Sequence, residues 1–128
     1  MKFDKNYFTK QDFTPAELAK YERSFRHELA IAEANPEPEV KFHFAYMALI
    51  KIGIHLLAKA GYRLKSKPGH HIKLIEFLSG HFKSEEIAAV SERMRQTRNL
   101  DLYGGGFLPS KEEIKDYLDL IKRMANKF

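Results

Sequence analysis

The 128 residues carry 22 lysines and arginines against 17 acidic residues, which gives a formal charge of +5 and a pI near 9.4. A hydrophobic fraction of 44% with 30% charged residues excludes a disordered chain and fits one globular domain spanning 1–128. The absence of cysteine excludes disulfides, thiolate nucleophiles and thiolate metal sites. The basic balance permits contact with nucleic acid without requiring it. The longest apolar runs, 44–50 and 52–54, are interrupted by Lys51 and His55. They fall short of the ~18 residues of a membrane span, and residues 1–5 lead into no signal-type stretch. A cytoplasmic protein without a membrane partner is expected.

Residues 1–13 show no helical period, and their aromatics Phe3, Tyr7, Phe8 and Phe13 predict an arm packed on the body or on a second subunit. Thr14-Pro15-Ala16-Glu17 is a helix start, with Thr14 as N-cap, Pro15 in the first turn and Glu17 closing a capping box. Leu18, Tyr21, Phe25, Leu29 and Ala32 follow at helical spacing until Asn35-Pro36-Glu37-Pro38. The next segment, 39–60, is apolar on nearly every side, so it predicts the central helix of a bundle, stopped by Gly61. Gly53 inside it costs about 1 kcal/mol against alanine, which predicts a neighbour approaching closely.

A basic stretch, 63–71, leads to a short helix over 72–79. A turn at 80–83 follows, and Ser84 caps a fourth helix whose Glu85 and Glu86 complement its dipole. Ile87, Val90 and Met94 share one face of that helix over 85–98. Arg98 continues the series, being three turns beyond Ile87 to within about 20°. It is thereby expected on the inward edge, with Arg93 and Arg95 pointing elsewhere into water. Two readings of Arg98 stay open: a cation at the last carbonyls of its helix, or a group awaiting an anionic ligand. Gly104-Gly105-Gly106 reads as a flexible turn, since it lacks the Lys-Ser/Thr ending of a phosphate loop. Ser110-Lys111-Glu112-Glu113 is a second capping box, opening a last helix with Ile114, Tyr117, Leu118, Ile121, Ala125 and Phe128 on one side. Four to five helices with short connections predict an all-α, up-and-down bundle, with no strands.

Six histidines raise the question of a metal, but His43 and His55 are about 120° out of phase on one helix. His70 and His71 are adjacent, with no carboxylates at the helical offsets of bundle metal sites. No metal and no cofactor are expected. What remains is cationic: Lys59, Arg63, Lys65, Lys67, His70, His71 and Lys73 around one turn, and Arg93, Arg95 and Arg98 on another helix. Either these form a solvated rim, or Arg63, Lys65, Lys67, His70, His71 and Arg95 contact RNA phosphates with Tyr62 free to stack on a base.

Three features together resemble the HEPN superfamily of small helical domains from prokaryotic toxin–antitoxin and defence systems. They are the apolar helix running into Ala60-Gly61-Tyr62, the Gly69-His70-His71 lead into a short apolar helix, and Arg98-Asn99 on the following helix. The resemblance covers about residues 16–124. It implies a homodimer with an RNA-directed site at the dimer interface. Active members are metal-independent endoribonucleases carrying arginine, a polar residue, three variable residues and histidine. Arg98 and Asn99 match the first two positions, 100–102 fill the spacer, and Tyr103 stands where the histidine would be. On this resemblance Arg98, Asn99 and Tyr103 form the catalytic set, with Arg98 binding the scissile phosphate. A phenol with a reference pKa of about 10 then replaces the usual proton shuttle. Some members pair with a nucleotidyltransferase-type antitoxin that adenylylates a tyrosine near the motif, a partner this chain is expected to share. A non-catalytic dimeric module binding a protein or nucleotide partner is the alternative.

Overall fold

The computed structural model describes residues 3–104 and 109–127, with side chains described for 3–100 and 109–127. Its helices are α1 (Pro15–Ala34), α2 (Pro38–Lys59), α3 (His70–Phe82), α4 (Glu85–Gly104) and α5 (Lys111–Ala125). Two three-residue strands, β1 (Phe8–Lys10) and β2 (Tyr62–Leu64), complete the described elements. The all-α bundle is therefore present, joined by a β ribbon that no alternation in the sequence announces.

Both capping boxes form. Glu17 N–H donates to Thr14 Oγ1 at 3.2 Å and Thr14 N–H to Glu17 Oε1 at 3.0 Å. Ser110 and Glu113 exchange equivalent bonds, each of 3.1 Å. Ser84 Oγ accepts from Ile87 N–H and opens α4. Each bond satisfies a backbone group that the first helical turn leaves without a partner.

α2 is the centre. It packs on α1, α3, α4 and α5, and burial extends right round it, from Phe42, Ala45 and Tyr46 to Leu56, Leu57 and Ala58. By length and composition this helix could cross a membrane, with a mean hydropathy of 1.4 over its best window. Lys51 splits the apolar stretch into runs that are each too short to span. In the bundle that lysine meets a partner: Lys51 Nζ lies 2.5 Å from Glu28 Oε1 of α1. Most of the apolar surface of α2 is covered by the other helices. Gly53 is the close approach the sequence predicts, since a Cβ there would lie 2.8 Å from Leu74 Cγ and Cδ1 on α3.

The arm folds back on its own body. Phe8 is buried, and β1 runs antiparallel to β2 with Phe8 opposite Leu64 and Lys10 opposite Tyr62. Phe3 stacks on Tyr62 at 3.9 Å between ring centroids, and Phe13 meets Tyr21 edge-on. Gly61, at φ +86°, ends α2 and turns the chain into β2, a conformation that suits glycine.

Candidate phosphate-binding site

Two helices bound the site. α3 starts at His70, two residues before the sequence suggested. Its N-cap is Gly69 at φ +82°, with no side-chain cap to announce it. α4 runs on to Gly104 instead of ending at Arg98. That extension weakens one of the two readings of Arg98, because the residue now lies six positions before the helix end at Gly104 and outside its last turn. Ile87 and Met94 on α4 are buried, as are the polar Ser91 and Thr97, while Val90 is only half-buried. Arg98 continues the buried stripe and is itself half-buried.

Arg98 Cζ sits 5.4 Å from the centroid of the Tyr46 ring of α2. This is a cation–π contact, worth about 0.5–2 kcal/mol depending on desolvation. It holds the guanidinium without neutralising it, and among the described residues Arg98 has no carboxylate partner. The Tyr46 hydroxyl, deep in the core, meets His71 Nδ1 at 2.9 Å. Tyr46 thus links Arg98 of α4 to His71 of α3.

Those surroundings set the protonation states. Burial pushes the Tyr46 phenol up to about 12, more than Arg98 and Arg95 pull it down, so the hydroxyl keeps its proton. Its 2.9 Å contact with His71 Nδ1 is a hydrogen bond in either tautomer of the ring, since a hydroxyl both donates and accepts. Burial, and then the charges of His70, Arg98 and Arg95, lower the His71 pKa to about 4. The ring is neutral at pH 7.

The site opens as a cleft of about 550 Å³, and its walls include Lys67, His70, His71, Arg95, Arg98 and Asn99. Arg95 was expected to point away into water. Instead it is half-buried on the cleft wall, because a residue three before Arg98 is its neighbour on a helix surface. Its guanidinium donates to both oxygens of Glu92, 3.0–3.2 Å from Nε and 2.6 Å from Nη2, which raises its own pKa and lowers that of Glu92. His70 and His71 have ring centroids 4.4 Å apart. Among the described residues no three histidine or acidic side chains come together as a metal site.

Other predicted contacts have structural employment. Arg63 Nε donates to Gln11 Oε1 at 3.1 Å, and Lys65 Nζ to the Lys5 carbonyl at 2.8 Å. Both tie β2 and its loop to the arm, away from the Arg98 cleft. Phe3 covers one face of Tyr62 and leaves at most the other for a base. Lys67 does both: its ammonium reaches the Asn6 carbonyl at 3.1 Å while the residue lines the cleft. Tyr103 lies on the final turn of α4, and its side chain is outside the described residues, as are Gly105, Gly106 and Phe128. Tyr46, which joins the two halves of the site, is the residue that sequence reasoning missed. Its signal is a hydroxyl on a predominantly apolar helix, since a buried tyrosine oxygen seeks a partner. No family model, no curated protein and no solved structure matches this chain.

Proposed function

We propose that this protein is a HEPN-like, toxin-type RNA-binding bundle whose cleft between α3 and α4 takes the phosphodiester backbone. The observation carrying this is the convergence of Arg98, Asn99, Arg95 and Lys67 with two histidines on one open surface. Arg98 is aimed there without an opposing carboxylate among the described residues. A guanidinium held by an aromatic face keeps its five donors for a phosphate. In this reading Arg98 grips the phosphate, Asn99 bonds a second oxygen, and Lys67 and Arg95 extend the track. Ile72 (39% exposed) and Leu100 (52% exposed) are large apolar side chains at this end of the molecule, and they favour a second copy docking here to form a homodimer. A nucleotidyltransferase-type antitoxin is the partner such a toxin would take. The same two residues also suit the alternative, a non-catalytic dimeric module.

The test is fluorescence anisotropy of end-labelled single-stranded RNA in excess EDTA, over a salt series. Arg98→Ala should weaken binding about tenfold or more and lower the salt slope by about one. Lys115→Ala on α5, which lines a different pocket, should leave it unchanged. Absence of binding at low salt, or equal binding by Arg98→Ala, would refute the reading.

A further inference from the structure

A second hollow adjoins the phosphate cleft. It is a cavity of about 250 Å³ whose walls are mostly aromatic and aliphatic. Phe13 of the arm, Tyr21 of α1 and Tyr62 of β2 supply the rings, and Ile54 of α2 part of the aliphatic wall. All three rings are half-buried, so each keeps surface that the bundle's own packing leaves uncovered. The β ribbon builds this wall. Lys10 is paired with Tyr62, and Gln11 N–H donates to the Gly61 carbonyl at 2.9 Å. The arm is thereby led past the end of α2, and Phe13 meets Tyr21 edge-on with ring centroids 5.6 Å apart. Phe3 covers one face of Tyr62 from outside the cavity.

The cavity and the cleft share three walls, Ser66, His70 and His71. One side of this partition is aromatic. The other carries Lys67 and Arg98, which meet no carboxylate among the described residues. A nucleotide has the same division, a flat base and an anionic phosphate joined through one sugar. We propose that the cavity is a base-binding pocket, and that the protein takes an unpaired nucleotide of single-stranded RNA with its base among Phe13, Tyr21 and Tyr62 and its phosphate on Arg98. The inference rests on the phosphodiester reading above. It adds a part of the molecule that can tell an open strand from a paired one.

An aromatic wall suits a base because every base has a π-face, and stacking on tyrosine or phenylalanine is largely indifferent to which base it is. A base inside a duplex has both faces covered by its neighbours and its edge already paired, so entering a pocket requires extruding it at a cost in free energy. For an unpaired strand that cost is small, and the pocket therefore selects open RNA. The sugar falls at the partition. There the His70 and His71 rings, with centroids 4.4 Å apart, form its wall, and the Ser66 hydroxyl can donate to or accept from a ribose 2′-hydroxyl. A ligand with phosphates and no bases uses the cleft alone.

The experiment is fluorescence anisotropy in excess EDTA with two end-labelled single strands of equal length and phosphate number, one of mixed bases and one abasic throughout. Wild type should bind the mixed strand about tenfold more tightly than the abasic one, and Arg98→Ala should weaken both. Phe13→Ala and Tyr21→Ala should each lower the ratio of the two affinities about fivefold or more. Should either fail to fold by circular dichroism, Ile54→Trp, which fills the cavity from α2, makes the same test. Free nucleoside 5′-monophosphates should compete only far above the nucleotide concentration at which the mixed strand does. Equal binding of the two strands by wild type, or an undiminished ratio in any folded variant, would overturn the pocket and leave the phosphate reading intact. Competition by the monophosphates at the strand's own nucleotide concentration would give the pocket to a free nucleotide and overturn RNA as its source. Wild type that binds neither strand through Arg98 removes the reading beneath, and the pocket with it.

Discussion

Replacing Gly53 with alanine separates two opposing effects at the contact between α2 and α3. Alanine is favoured over glycine in a helix interior by about 1 kcal/mol. Its methyl carbon, however, would stand 2.8 Å from Leu74 Cγ and Cδ1 and 3.0 Å from Cδ2. Carbon pairs are most favourable near 3.5–4.0 Å, so the overlap approaches ~1 Å. Leu74 is completely buried and has little room to retreat. Overpacking of this kind costs about 1–3 kcal/mol, and the net expectation is a loss of about 1 kcal/mol. Urea denaturation followed by circular dichroism should show a lower midpoint with an unchanged slope. Leu74→Ala alone should cost about 2–5 kcal/mol. In that background Gly53→Ala should change sign and stabilise by up to about 1 kcal/mol, as its methyl enters vacated space. Stabilisation by Gly53→Ala in the wild-type background would refute the close approach of the two helices.

Two further predictions follow from single side chains. Breaking the half-buried Lys51–Glu28 pair with Lys51→Met should cost about 2 kcal/mol, because Glu28 Oε2 is buried without a hydrogen-bond partner. The double variant Lys51→Met/Glu28→Leu should recover most of it in the same denaturation assay, and a double variant as unstable as the single would contradict this. His71 makes stability depend on pH, since its folded pKa of about 4 is below the ordinary 6.5. Between those values the unfolded chain binds the extra proton, so stability is full above about 6.5 and falls as pH drops toward 4. The interval corresponds to about 3 kcal/mol, and for this partly open ring about half of that is realised, ~1–2 kcal/mol. Stability measured from pH 4 to 7 should therefore fall less in His71→Gln than in wild type, and parallel curves would show that the ring is no harder to protonate folded than unfolded.

The features legible in the sequence have local causes. Thr14 with Glu17 and Ser110 with Glu113 are short-range hydrogen-bond patterns, and both reciprocal bonds are present. The all-round apolarity of α2 announces its place, and Gly53 its close neighbour. What was missed depends on contacts distant in sequence or on ends without a signal. α3 begins behind a left-handed glycine with no capping side chain, so sequence spacing places its start two residues late. The β ribbon is only three residues a strand and pairs segments more than fifty residues apart, too short for alternation to register. Tyr46 and His71 are 25 residues apart and meet only when α2 and α3 pack. Arg95 is different, because its three-residue offset from Arg98 was in plain view and placed both on neighbouring rows of one helix surface.

Three separate devices fix the cleft, and each belongs to a different level of the structure. Gly53 lets α3 approach α2 closely enough for His71 to reach the Tyr46 hydroxyl. Tyr46 in turn offers its ring to Arg98, so one buried side chain sets the separation of α3 and α4 at the cleft floor. The arm fixes the remaining wall: Lys65 N–H donates to the Tyr7 carbonyl at 2.7 Å, and the Lys67 ammonium lies 4.9 Å from the Tyr7 ring centroid. That holds the loop whose carbonyl at Lys67 fixes the His70 ring. The basic stretch therefore divides by role. Arg63 Nε and Lys65 Nζ each reach the arm, and neither residue lines the Arg98 cleft. Lys67, His70, His71, Arg95 and Arg98 line the cleft, where the charges of Lys67 and Arg98 meet no carboxylate among the described residues.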